Sequence, residues 1–168
     1  MNTVLLGNIV ALIGAAIMVS TGFLKAKKQI LTVQCFQFVV LSASNAILGA
    51  FTGITANVVG IARNLFCMKK EFTTPWKLVF IATQLTLFFA FNADGWFGLL
   101  PAAATCAYTW LLDLKDEVQL KIVIIITVLC WAVYDFAFKN YVTFAFDLGT
   151  VVSNLAGIVT LRRAAKRG

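Results

Sequence analysis

Long apolar runs, separated by short polar or charged breaks, dominate the pattern along the chain. An α-helix needs about 20 residues to cross the hydrocarbon layer of a membrane. Runs of suitable length predict seven membrane-spanning helices, at 3–24, 29–49, 52–68, 76–92, 95–113, 121–138 and 141–161. The break at 49–53, GAFTG, carries no charge, but Gly49 and Gly53 permit a tight reversal there. The pattern therefore predicts an all-α polytopic membrane protein.

The composition agrees with a membrane location and narrows the chemistry. Of the 168 residues, 61% are hydrophobic and only 12% are charged, whereas soluble domains carry roughly 25% charged residues. The chain has no histidine, and its four cysteines form no CxxC pair. We therefore expect no metal site and no cofactor. Because no HExxH motif or Ser-His-Asp set is present either, we expect no enzymatic activity and no catalytic residues.

The basic residues indicate an orientation, because Lys and Arg in short loops stay on the cytoplasmic side. Threading seven spans places most of them on one side: Lys25, Lys27, Lys28, Lys69, Lys70, Lys77, Lys115, Lys121, Arg162, Arg163, Lys166 and Arg167. Only Lys139 lies in a loop on the other side. This split predicts an N-terminus outside and a C-terminus in the cytoplasm. The net charge of +7 then matches an anionic inner leaflet, so the lipid bilayer is the expected partner and nucleic acid is not.

The first apolar run is interpreted as a retained helix. The small residues at 14–16 are compatible with a signal-peptide cleavage site, but the basic cluster follows the apolar run instead of preceding it. We therefore expect this helix to insert with its N-terminus outside.

A self-comparison at an offset of ninety residues aligns the first three spans with the last three. Few positions are identical, but the matched positions include most polar residues inside the membrane. The pairs are Gln29 with Gln119, Asn45 with Asp135, Asn57 with Asp147 and Asn64 with Asn154. Two parallel three-helix units need an odd linker helix between them. The sequence therefore predicts a first unit at 1–70, a linker helix at 71–94 and a second unit at 95–168 with a basic tail.

This three-plus-one-plus-three arrangement resembles the SWEET and PQ-loop superfamily, which includes the PnuC-type vitamin transporters and the KDEL receptors. The chain lacks the Pro-Gln pair that names the PQ-loop proteins. In the segments LKAKKQILTVQ, SNAILGAFTGITANVVGIARN and GLLPAA it is similar to the YgjV-type bacterial inner membrane proteins. That resemblance implies a multi-pass protein of the bacterial inner membrane, and it carries no established activity.

Polar residues within the third and seventh spans are spaced for a common face. Asn57 and Asn64 are seven residues apart, as are Asp147 and Asn154, with Thr150 between the second pair. Seven residues are about two helical turns, so each pair lies on one face. In SWEET-like folds the corresponding helices line the central cavity, so the resemblance implies that these residues contact a substrate. The alternative is interhelical hydrogen bonding, which contributes about 0.6 kcal/mol per bond in membranes.

Four further residues complete the candidate substrate-binding set. Asn45 and Asp135 lie at similar depth in the second and sixth spans, and Trp131 offers a ring for stacking on a sugar or nucleobase. Packing explains these three equally well. Arg63 either extends to the cytoplasmic interface or binds a substrate carboxylate or phosphate. Asp147 is interpreted as protonated, as hydrogen-bonded to Asn57, or as the counter-charge for a cationic substrate.

Two functional classes are compatible with these features. The first is a small transporter or facilitator of a polar metabolite, such as a sugar, nucleoside or vitamin-like compound, working by alternating access. The second is a non-transporting membrane receptor or assembly protein of the same fold. Short loops leave little surface for a protein partner, which favours transport of a small polar substrate. Substrate identity and the formation of a homo-oligomer remain open.

Overall fold

The computed structural model describes residues 2–114 and 116–165. Lys115, Lys166 and Arg167, which contribute to the charge pattern above, lie outside the described residues. The described chain folds into seven helices: α1 Thr3–Ser20, α2 Lys27–Leu48, α3 Phe51–Lys69, α4 Thr74–Phe91, α5 Leu99–Leu111, α6 Glu117–Ala137 and α7 Tyr141–Ala165. Short 3₁₀ turns at Thr21–Phe23 and Gly95–Gly98 extend α1 and precede α5.

Five of these helices are long and apolar enough to cross a membrane: α1 with its 3₁₀ turn, α2, α4, α6 and α7. Helix α5 has only 13 residues. It is shorter than the predicted span mainly because residues 95–98 form a 3₁₀ turn. That turn begins at Gly95, which has a φ of 59°. Helix α3 has 19 residues, and Asn57, Arg63 and Asn64 lower its hydropathy. The all-α membrane class is confirmed, whereas two of the seven predicted spans do not reach the length or hydropathy of a span on their own.

Six helices form a closed ring. Helix α1 packs against α2 and α7, α2 against α3, α3 against α5, α5 against α6, and α6 against α7. Helix α4 packs against α3 and α5 on the outside of the ring. The outer surface exposes large apolar side chains, among them Phe36, Phe89 and Val152. A surface of this kind is stable when lipid covers it.

Three lysines join the helix ends at one end of the ring, which we call the basic end. The Lys121 amine donates to the carbonyl oxygens of Gly22 and Leu24, at 2.8 and 3.0 Å. The Lys27 amine donates to the Leu112 carbonyl. Lys77 pairs with Asp113 at 2.7 Å. The α1–α2, α3–α4 and α5–α6 connections therefore meet at this end, above an apolar cluster of Ile30, Leu31, Phe72, Tyr108, Leu112, Leu120, Val123 and Ile124.

The opposite end of the ring is joined through Asp94, in the α4–α5 connection. Its carboxylate accepts the backbone N–H of Thr52 at 3.2 Å and the hydroxyl of Tyr134 at 2.7 Å. Helices α1 and α7 meet at the same end, where the Asn8 side-chain oxygen accepts the backbone N–H of Val142 at 3.2 Å. Both ends of the bundle are therefore held by polar contacts, and the space between them is bounded by the six helices.

The C-terminal ends of α2 and α6 have the same backbone geometry. Gly49 has a φ of 75° and Lys139 a φ of 59°. In the first case the N–H of Ala50 donates to the carbonyl of Asn45, and in the second the N–H of Asn140 donates to the carbonyl of Asp135, both at 2.9 Å. This left-handed cap is typical of glycine, and Lys139 is the one non-glycine residue in the described chain with a positive φ.

Candidate functional site

The ring encloses a central cavity of about 80 Å³. Each of the six ring helices contributes to its wall, and no α4 residue in the described chain does. An internal water needs roughly 10–15 Å³ of such space. The cavity therefore has room for several waters or a small solute.

Polar side chains face the cavity because of helical spacing. On α7, the lining residues Thr143, Asp147 and Thr150 are four and three residues apart, which places them on one stripe. On α3, Asn57 and Arg63 lie on either side of Gly60. A Cβ at Gly60 would lie 2.8 Å from the ring of Phe38, so the glycine leaves room for that ring. In lipid, turning polar faces inward is the only way to keep them hydrated or hydrogen-bonded.

A carboxyl pair, Asp135 on α6 and Asp147 on α7, lies on the cavity wall. Both residues are buried, Asp135 at 4% and Asp147 at 1% exposure, and both line the cavity. Asp135 also accepts from the Asn140 amide at 3.0 Å, and the Asn140 oxygen accepts the Thr143 hydroxyl at 2.9 Å. These bonds fix Asp135 in place, so Asp147 is the freer member of the pair.

Two buried polar atoms on this part of the wall have no partner in the described chain. They are the Asn57 amide nitrogen and the Asp147 Oδ2 oxygen. Both residues are at most 3% exposed, and both line the cavity. The interpretation in which Asn57 hydrogen-bonds Asp147 is therefore wrong. A residue with a free donor and a residue with a free acceptor therefore line the same cavity.

A second group, the Arg63 cluster, lies toward the basic end of the cavity and consists of Arg63, Asn64, Thr109, Tyr108 and Gln34. The Arg63 guanidinium donates to the Asn64 oxygen at 3.2 and 3.0 Å and to the Thr109 hydroxyl at 3.0 Å. It lies over the ring of Tyr108, 4.6 Å from its centre. The Gln34 oxygen accepts from both Asn64 and Tyr108 at 3.1 Å. Arg63 is 1% exposed, so its side chain does not extend to the membrane interface.

The other candidate residues divide between the cavity wall and the layer behind it. Asn45, Thr150 and Trp131 line the cavity, and the Trp131 ring packs edge-on against Tyr134 at 5.9 Å. Asn64 and Asn154 lie outside the lining set. Asn64 bridges Arg63 and Gln34 as described above. The Asn154 amide instead donates to the Thr150 carbonyl at 2.9 Å.

Sequence reasoning did not single out several lining residues. Gln34 and Gln37 on α2, and Asn140 and Thr143 near the start of α7, all line the cavity. A signal for the two glutamines is present in the sequence. They are three residues apart within an apolar span that also carries Asn45. Asn140 lies between the predicted spans 121–138 and 141–161, where a polar residue is expected and does not indicate a binding site.

The closed ring, the apolar outer surface and a central cavity lined in part by polar side chains define an α-helical, multi-pass membrane protein. The chain belongs to the Imp-YgjV family of bacterial inner membrane proteins, whose family model matches residues 5–165. Comparisons with curated proteins and with solved structures gave no match. The resemblance to YgjV-type proteins is confirmed, and the protein is assigned to the bacterial inner membrane. The resemblance to the SWEET and PQ-loop superfamily stays a prediction.

Proposed function

We propose that this protein is a small transporter or facilitator that moves a polar metabolite through the central cavity by alternating access. The observation that carries the proposal is that two cavity-lining residues each have a buried polar atom without a partner in the described chain, Asn57 Nδ2 and Asp147 Oδ2. Burying such groups without a partner costs several kcal/mol each in an apolar environment. A bound polar solute, or water in its absence, would supply the missing hydrogen bonds.

The proposal includes two parallel three-helix units joined by α4. In its support, α2 and α6 begin at Lys27 and Glu117, and α3 and α7 begin at Phe51 and Tyr141, each pair ninety residues apart. The left-handed caps at Gly49 and Lys139 differ by the same offset. With the repeat-related units 1–70 and 95–168 on either side of it, the cavity lies at their interface, where transporters of this kind bind substrate.

The carbonyls that accept from two lysines at the basic end also follow the offset, although the lysines themselves are 94 residues apart. Lys27, at the start of α2, donates to the carbonyl of Leu112, and Lys121, near the start of α6, donates to the carbonyl of Gly22. Leu112 and Gly22 are ninety residues apart, so each unit contributes a lysine that caps the first helix of the other. Such reciprocal contacts would hold the two units together at one end while they rock around the cavity.

The orientation in the proposal is N-terminus outside and C-terminus cytoplasmic. In its support, all Lys and Arg residues in loops and helix ends of the described chain belong to the basic end, except Lys139. The positive-inside rule places that end in the cytoplasm. The proposal assigns no catalytic chemistry to the cavity.

Solute uptake into liposomes tests the function. The purified protein is reconstituted, and accumulation of sugars, nucleosides, vitamins and amino acids is compared with that in protein-free liposomes. We expect at least one class to accumulate, and the Asn57→Leu variant to lose that uptake. Gln29→Leu is the matched control, because Gln29 is an exposed amide at the start of α2. Folded protein that accumulates no solute of any class would contradict the proposal and favour a receptor or assembly role.

A further inference from the structure

Arg63 is a buried cation for which the described chain provides no counter-charge. The one ion pair among the described residues joins Lys77 to Asp113 at the basic end. Arg63 contacts only neutral groups, namely the Asn64 amide, the Thr109 hydroxyl and the Tyr108 ring. Taking a guanidinium out of water without an anion costs several kcal/mol. An anionic ligand in the cavity would offset that cost.

The guanidinium also retains hydrogen-bonding capacity toward a ligand. It has five N–H donors, and three hydrogen bonds to protein acceptors are formed in the described chain. Tyr108 covers one face of the planar group and Asn64 occupies its Nε–Nη2 edge, which leaves one N–H on Nη1 and one on Nη2 for in-plane contacts. In-plane, bidentate pairing is the geometry in which arginine binds a carboxylate.

Helix packing does not require a cation at this position. If the units at 1–70 and 95–168 are repeats, the counterpart of Arg63 is Ser153, ninety residues later. Ser153 is buried in α7 and donates to the Val19 carbonyl at 3.1 Å. A small neutral side chain is therefore sufficient for packing in one unit. Arg63 therefore differs in size and charge from its counterpart Ser153, and it lines the cavity.

We propose that Arg63 binds the carboxylate of the transported solute, and that the solute is a small hydroxy- or amino-monocarboxylate. This inference rests on the proposed function of the cavity. The free Asp147 oxygen would accept from the hydroxyl or ammonium group of that solute, and the free Asn57 amide would donate to a hydroxyl oxygen. Asn57 and Arg63 are six residues apart on α3, which is about 9 Å along the helix. A short carbon chain carrying one group at each end matches this arrangement.

The charges on the wall favour a monocarboxylate over a dianion. One guanidinium balances one carboxylate. A phosphate monoester or dicarboxylate would bring a second negative charge toward the carboxyl pair, where like charges repel. The cavity of about 80 Å³ also restricts the solute to a small molecule.

Thermal stabilisation of the purified protein tests this inference without a known substrate. The probes are hydroxy- and amino-carboxylates of increasing chain length, each compared with its own carboxamide. We expect stabilisation by at least one carboxylate and none by its carboxamide. Arg63→Gln should weaken the apparent affinity for that carboxylate about ten- to a hundredfold, as expected for losing one or two charge-assisted hydrogen bonds. Arg63→Lys, which keeps the charge but not the bidentate geometry, should give a smaller loss.

The control is Arg162→Gln, the same change at an exposed arginine in the last turns of α7, which should bind as the unmodified protein does. If Arg63→Gln does not fold, the comparison of carboxylate with carboxamide on the unmodified protein still tests whether the cavity binds a carboxylate. The inference would be overturned if each carboxylate and its carboxamide stabilised the protein equally. It would also be overturned if no probe stabilised the protein. In that case uptake of a neutral solute in liposomes would leave the proposed function standing, whereas no uptake of any solute would remove both.

Discussion

A close approach between α7 and the end of α1 gives a prediction about stability. At Gly22, in the 3₁₀ turn after α1, an added Cβ would lie 2.5 Å from the Cβ of Ser153 and 2.7 Å from its backbone carbonyl carbon. Carbon atoms pack at about 3.5–4.0 Å. The backbone atom cannot rotate away, so Gly22→Ala would force the two segments apart by roughly 1 Å.

The loss in free energy of unfolding follows from the contacts that this displacement disturbs. Overpacking of a filled site costs about 1–3 kcal/mol. The shift would also strain the bond from the Lys121 amine to the Gly22 carbonyl, now 2.8 Å, and hydrogen bonds to charged groups contribute about 1.5–3 kcal/mol. We therefore expect Gly22→Ala to lower the free energy of unfolding by about 3 kcal/mol.

Thermal denaturation in detergent, followed by size-exclusion chromatography of the soluble fraction, measures the effect. Gly149→Ala is the control on the same helix pair. Its Cβ would meet only Val19 Cγ2, at 3.3 Å, and that side chain can move. We expect this control to cost less than about 1 kcal/mol. If Gly22→Ala were as stable as Gly149→Ala, the close approach of α1 and α7 described above would be wrong.

Two further predictions concern α4 and the orientation. Gln84 is 1% exposed, and neither polar atom of its amide has a partner in the described chain. Gln84→Leu should therefore raise the free energy of unfolding by about 1–2 kcal/mol in the same thermal assay. A loss of stability would show that the amide is hydrogen-bonded. In a variant without native cysteines, Ala93→Cys should react with a membrane-impermeant thiol reagent added to spheroplasts, and Lys28→Cys only after permeabilisation. The reverse pattern would contradict the N-out orientation.

Helix positions could be predicted from sequence wherever charged residues or turn-forming glycines bound an apolar run. The prediction of 29–49 corresponds to α2 at Lys27–Leu48, and that of 141–161 to α7 at Tyr141–Ala165. The start of α5 could not be predicted, since residues 95–98 are apolar apart from their glycines and the 3₁₀ turn depends on local backbone geometry.

The helix face that lines the cavity could be predicted from sequence, whereas the contacts between side chains on different helices could not. Spacing along α7 placed Asp147 and Thr150 on one face, and both line the cavity. The same spacing included Asn154, but Gly22 and Ser153 approach closely near that depth. The surroundings of Arg63 could not be derived, because its contacts Tyr108 and Thr109 come from α5, and no sequence pattern shows which helix faces another.

Cysteine accessibility tests most directly whether water and solutes reach the cavity inside the six-helix ring. In a variant without native cysteines, Thr150→Cys places a thiol on the cavity wall, whereas Val152→Cys, two residues along α7, places one on the outer surface, where Val152 is 65% exposed. A charged, membrane-impermeant thiol reagent reacts with a thiol in water and not with one in lipid. We expect Thr150→Cys to react in proteoliposomes and Val152→Cys not to react. Equal inertness of both variants, or reaction of Val152→Cys alone, would contradict this expectation.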